Sequence, residues 1–107
     1  MALLLSLLLS ARTFHPVSVA NLPTSVHTHV SVCGVATLVK HEADGDWHLR
    51  LEHGGRFIVA EIVPELPRAV PKKGQTITVK GISREDKAHR WHEIHPVLSW
   101  TTTASCR

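Results

Sequence analysis

Four side chains spread along the chain carry the groups best suited to chemistry: His48, Glu61, Glu93 and His95. Two imidazoles with one or two carboxylates make a donor set for Zn²⁺ or another first-row metal. Asp46, two residues before His48, adds a further ligand or a group that orients one. An open coordination position on such an ion would permit metal-activated hydrolysis. The competing account is a hydrogen-bonded His/Glu network that only satisfies polar groups at the edge of a fold. His92-Glu93-Ile94-His95 is not a zincin motif, because that chemistry needs His at i, i+4 on a helix and the spacing here is i, i+3. His27-Thr28-His29 sets two imidazoles on one side of a strand start, to be read as a metal pair or as solvated histidines.

A second group is aromatic and basic. Phe57 and Trp91 offer platforms for stacking, and Arg50, Arg56, Lys72, Lys73, Lys80, Arg84 and Arg90 offer phosphate contacts. Trp47 shares its face with Leu49 and Leu51, which assigns it to the core. The basic set is equally consistent with an ordinary solvated surface. Asp44-Gly45-Asp46 opens like a calcium loop but lacks the Glu at the twelfth position, so a hairpin turn accounts for it better. A glycine-rich phosphate loop, a G-x-S-x-G elbow and a Cys/His nucleophile arrangement are all missing from the sequence, which disfavours ordinary nucleophilic enzymes.

The elements that must position these groups read as strands. From Asn21 onward there are ten Val, five Ile and eight Thr against six Leu, a β-branched excess that suits pleated, half-buried surfaces. The alternation predicts five strands. They run over Val30 to Lys40, Trp47 to Leu51, Arg56 to Val63, Thr76 to Ile82 and Arg90 to Leu98. Gly34 and Gly81 mark bends or close backbone contacts, and Asp44-Gly45 and His53-Gly54-Gly55 mark turns. Ser83 to Ala88 is predicted as a charged turn and Thr101 to Arg107 as a frayed tail. Pro64, Pro67 and Pro71 forbid regular structure between Val63 and Gly74, so an extended loop joins the third strand to the fourth. Five short strands with glycine bends fit an all-β, OB-like Greek-key barrel better than a sandwich of about seven strands. In that barrel the second, third and fifth strands are neighbours. Glu93 and His95 share a face by the period-two rule, so the four distant polar residues can converge.

At 107 residues the chain has room for one domain, and its 43% hydrophobic and 20% charged content excludes a disordered or low-complexity chain. The first twenty residues differ in kind. Ala2 to Ala11 contains six Leu and two Ser, too short for a bilayer-spanning helix and suited to the centre of a secretory leader. Ser18-Val19-Ala20 supplies small residues for cleavage after Ala20, and Ala11 offers an earlier site. The expected organisation is therefore a signal peptide over 1–20, a barrel over 27–100 and a tail over 101–107. The mature product would be a secreted or periplasmic monomer without a transmembrane segment. Cys33 and Cys106 either pair or remain one buried and one loose thiol. Twelve Lys and Arg against nine Asp and Glu give a formal charge of +3, too weak to identify a nucleic-acid partner unaided.

The run from His27 to Trp100 resembles a group of small exported bacterial OB-fold proteins of uncharacterised function. The resembling residues are Asp44-Gly45-Asp46-Trp47-His48-Leu49, Ile58-Val59-Ala60-Glu61 and Glu93-Ile94-His95-Pro96-Val97. The segment Pro71 to Gly81 is similar, more loosely, to OB domains of the nucleic-acid-binding type. The resemblance implies the fold and little about activity. Two functions follow as expectations. One is a non-catalytic module gripping a single-stranded nucleic acid, a glycan or a protein segment. The other is a divalent-metal-binding protein or metal-dependent hydrolase, with zinc as the possible cofactor.

Overall fold

A computed structural model describes residues 13–107. Six strands account for most of them: β1 (His15–Pro16), β2 (His29–His41), β3 (Trp47–His53), β4 (Arg56–Ile62), β5 (Thr76–Asp86) and β6 (Trp91–Thr102). The hydrogen-bonded order is β1-β2-β3-β4-β6-β5, and β5 pairs back onto β2. The last five strands therefore close into the all-β, OB-type barrel that the alternation predicts, and the two-residue β1 is an addition running parallel to β2. Alternate residues fill the interior: Val30, Val32 and Ala36 from β2, Leu49 and Leu51 from β3, and Ile58, Ala60 and Ile62 from β4. Ile77 and Val79 from β5 and Ile94 and Val97 from β6 complete it.

Two backbone features shape the outer wall. β2 serves two partners, pairing with β5 from His29 to Val35 and with β3 from Val35 to His41. Its register against β3 slips between Ala36 and Leu38, leaving Thr37 without an opposite residue. A one-residue bulge inverts the alternation. Before it Val32 and Ala36 point inward; after it Val39 packs on the core and Leu38 and Lys40 are exposed. At the second feature, Gly81 of β5 lies so close to β6 that a Cβ would sit 2.4 Å from Ile94 Cγ2 and 2.5 Å from the Pro96 carbonyl oxygen. Only glycine fits that crossing, which bears out a close backbone contact there.

The connections are those of a barrel with a bare crossing. Gly54 and Gly55 turn β3 into β4 with φ of 61° and 76°, the left-handed conformation a tight hairpin requires. Residues 63–75 carry no helix. An N-terminal 3-10 turn, Val19–Thr24, packs on β2, β3 and β4 and buries Val19 and Leu22 in the core. Burying Leu22 alone is worth about 2 kcal/mol.

Several boundaries differ from the sequence expectation. β5 continues through the stretch expected to turn, because Ser83 to Asp86 find partners on β6 from Ile94 back to Trp91. The turn is displaced to residues 87–90. β6 reaches Thr102, inside the expected tail, through pairing of Thr101 and Thr102 with Thr78 and Ile77. Cys106 then bonds to Cys33 with the two Cα atoms 5.5 Å apart, tying the C-terminus to β2. Cleavage after Ala20 would fall inside the 3-10 turn. The leader's apolar run, Ala2 to Ala11, lies outside the described residues.

Candidate functional site: a groove and a polar cluster on one barrel face

The pleat aims His48, Arg50 and Glu52 of β3 outward, and it does the same for Phe57, Val59 and Glu61 of β4. Register sets Arg50 opposite Val59 and Leu38, and His48 opposite Glu61 and Lys40. Two adjacent rows with different chemistry result. In the first, the Arg50 guanidinium carbon lies 3.8 Å from the centre of the Phe57 ring, a cation–π contact. Phe57 is 40% exposed and Leu38 43%, the two large apolar side chains left open among the described residues. With Val59, Lys40 and Trp91 they line a groove of about 280 Å³. Trp91 stacks on His89 with ring centres 4.4 Å apart.

The second row is buried and polar. Glu61 and Glu93 are 7% and 0% exposed, although both are carboxylates. His48 Nε2 lies 2.5 Å from Glu61 Oε1, and its Nδ1 faces Glu42 Oε1 at 3.4 Å. His95 Nε2 faces Glu61 Oε2 at 3.5 Å and Asp46 Oδ2 at 4.0 Å. An arginine can only donate, so the 3.3 Å contact between Arg84 Nη1 and His95 Nδ1 makes Nδ1 the acceptor and leaves the His95 proton on Nε2. Glu93 adjoins Glu61 and meets two further groups. The Trp91 indole donates to its Oε2 at 2.9 Å, and Arg84 Nε stands 2.7 Å from its Oε1. That second contact lacks hydrogen-bond alignment, so Oε1 is held by charge alone.

Protonation follows from this packing. Burial pushes the Glu61 carboxyl up to about 8, the adjacent Glu93 carboxylate adds to the rise, and Arg84 opposes it. Near neutral pH Glu61 therefore keeps a proton. Asp46 is raised by burial and by Asp44, with His95 pulling against them. The turn before β3 holds Asp46 in place: its N–H donates to Asp44 Oδ1, and its carbonyl oxygen accepts from Glu42 N–H.

The barrel thus brings together His48, Glu61, Glu93 and His95, the four residues that the sequence singles out for metal. Asp46, His48 and Glu61 each offer a ligand atom within 4.8 Å of the others, a spacing one cation can span. Of the residues expected to grip a ligand, Arg50, Phe57 and Trp91 share the groove. Arg56 borders it, lining a neighbouring depression with Phe57 and His92, and Arg90 lines another with Trp91 and His92. Lys80 lies apart on β5, its ammonium 5.7 Å from the Phe14 ring. Lys72 and Lys73 sit in the loop before β5, away from the groove lining. Sequence reasoning missed Leu38, Lys40 and Val59. Only the bulge at Thr37 turns the first two outward, and a bulge has no local signature in Ala36-Thr37-Leu38.

No protein-family model and no curated protein sequence matches the chain. Solved structures do. The asparaginyl-tRNA synthetase of Pyrococcus horikoshii superposes on 84% of this chain with a TM-score of 0.69 and 12% identity. This chain covers 23% of that synthetase, less than a quarter of its length. The telomere capping protein Ten1 of Saccharomyces pombe covers 86% of the chain, which spans 83% of Ten1, with a TM-score of 0.63 and 14% identity. An OBody bound to hen egg-white lysozyme is similar over 88% of the chain and 98% of its own, at a TM-score of 0.66 and 15% identity. At these identities the likeness establishes the fold: an OB barrel with one added strand.

Proposed function

We propose that the protein is an OB-fold binding module whose outer β2-β3-β4 face takes single-stranded nucleic acid. The observation that carries the reading is the exposed Phe57 ring under the Arg50 guanidinium, with Leu38 and Trp91 beside it. A base can stack on the ring's surface that Arg50 leaves uncovered, and a cation at the same spot meets the phosphate, a pairing that grips a strand with little regard for its sequence. A tRNA synthetase and a telomere capping protein among the similar structures support the same class of ligand. The formal charge of +3 favours a polyanion weakly.

Export belongs to the same proposal. The Cys33–Cys106 bridge suits an oxidising compartment, and the leader composition suits secretion. Cleavage after Ala11 would retain the buried Val19, whereas cleavage after Ala20 would discard it. The amino terminus of the secreted product, read by mass spectrometry, distinguishes the two sites.

The binding test is a fluorescence-anisotropy titration with a short single-stranded oligonucleotide at two salt concentrations. Binding should weaken with salt, and Phe57→Ala should lower affinity about tenfold, the loss of one stacked base. A flat titration at low salt, or tighter binding to an oligosaccharide of similar length, would overturn the reading.

A further inference from the structure

Three carboxylates, Asp46, Glu61 and Glu93, meet at one place on the barrel wall. Arg84 is the one permanently charged cation placed against them among the described residues. With neutral imidazoles and all three carboxylates ionised the cluster carries a net charge of −2, held in a site where Glu61 and Glu93 are almost wholly shielded from water. Such a site needs positive charge. Protons can supply it; so can a metal ion, and the orientation of the side chains distinguishes which residues would bind one.

His48 presents its Nδ1 to Glu42 at 3.4 Å, which favours the tautomer carrying a proton there and frees the Nε2 lone pair toward Glu61. A carboxylate behind a ligating imidazole is the usual outer-sphere arrangement at a metal. His95 is set the opposite way. Arg84 donates to its Nδ1, so Nε2 bears a proton and faces Asp46 and Glu61 as a donor, not as a ligand. Glu93 is already committed to Trp91 and Arg84. The three ligand atoms that remain belong to Asp46, His48 and Glu61, and they fall within 4.8 Å of one another.

We propose that Asp46, His48 and Glu61 form a binding site for one divalent first-row transition ion, with Glu42 and His95 as its outer-sphere partners. One imidazole nitrogen with two carboxylates suits Zn²⁺ or Mn²⁺ better than Ca²⁺, which wants six to eight oxygens. Three protein ligands leave positions for water or for an exchangeable group. His48 also lines a depression of about 560 Å³ with Glu42, Asp44 and Trp91, so the cluster borders solvent on the His48 side. This refines the four-residue set expected from sequence: His48 and Glu61 remain ligands, Asp46 joins them, and His95 and Glu93 move outward. Metal binding here does not depend on nucleic-acid binding in the neighbouring groove.

The test is a titration of the chelator-stripped full chain with Zn²⁺ against a chromogenic competitor, with no oligonucleotide present. The wild type should hold one equivalent. His48→Gln and Glu61→Gln, close in size to the native side chains and checked for folding by circular dichroism, should each weaken it at least about a hundredfold. His95→Gln should keep the stoichiometry and weaken affinity by about 10- to 100-fold, as loss of an outer-sphere partner does. His29→Ala should change nothing, because the His29 ring packs on Phe14 and contacts none of the three ligands. Absence of a bound equivalent, or an equivalent indifferent to both His48→Gln and Glu61→Gln, overturns the proposal. So does equal Ca²⁺ binding, which would mark a generic acidic patch.

Discussion

His48 and Arg50 stand two residues apart on β3 and point the same way, yet their surroundings differ in kind. Arg50 faces Leu38 and Phe57, which remain partly open to solvent, and the buried Val59. His48 faces Glu61, which is buried, and behind Glu61 lies Glu93, with no exposure at all. The first row is a surface waiting for a partner. The second is a largely buried charge network in which Glu93 Oε1 lacks an aligned hydrogen-bond partner. The contrast teaches that one sheet face can divide its labour by register: a row open to a ligand is altered at small cost to the fold, whereas a buried ionic row ties stability to every member.

The sharpest way to break that comparison is Arg84→Met. It removes the cation beside the buried Glu93 and leaves Trp91 as its one remaining partner. Breaking a fully buried pair from one side costs about 3 kcal/mol; Arg84 is half-exposed, so the loss should be smaller but the urea midpoint should still fall clearly. An unchanged midpoint would mean that Glu93 takes up a proton or reaches water at little cost.

The next effect depends on pH. The Glu61 carboxyl is raised from 4.5 to about 8 in the folded protein. The folded state thus holds a proton that the unfolded state releases. Its contribution to stability is full below 4.5, declines as pH rises and is gone above 8. In chelator, wild-type melting temperature should drop across that window and Glu61→Gln should flatten the drop. Parallel curves for the two proteins would show that Glu61 ionises normally.

The smallest effect on stability should come from the open row. Phe57→Ala removes a ring that is 40% exposed and contacts Arg50, and should change unfolding free energy by no more than about 1 kcal/mol, even while it impairs oligonucleotide binding. A loss of several kcal/mol would place Phe57 in the structural network and erase the distinction between the rows.

Much of the architecture follows from local pattern. Period-two alternation with β-branched residues marks all five barrel strands, and Gly54-Gly55 and Gly81 announce a turn and a close crossing by their missing side chains. It also assigns Glu93 and His95 to one face. The expected convergence of four polar residues needed one further premise, the neighbour relations of an OB barrel, and the parallel pairing of Val59 with Glu93 and Ala60 with Ile94 supplies it. Local reasoning fails where a residue's environment depends on distant chain. Ser83 to Asp86 look like a turn until β6 offers partners. Arg84 looks like a phosphate contact, yet it neutralises Glu93 and orients His95.

Side-chain type and spacing alone determined the strand periodicity, the turns at Asp44-Gly45 and Gly54-Gly55 and the supply of imidazoles and carboxylates, because these depend on backbone geometry over a few residues. Tertiary structure alone decided that Thr37 bulges and turns Leu38 outward, that Cys33 meets Cys106, and that His48 stands between Glu42 and Glu61 while Arg84 donates to His95. Those outcomes rest on which strands lie side by side and in what register, and register is fixed by the packing of the whole barrel.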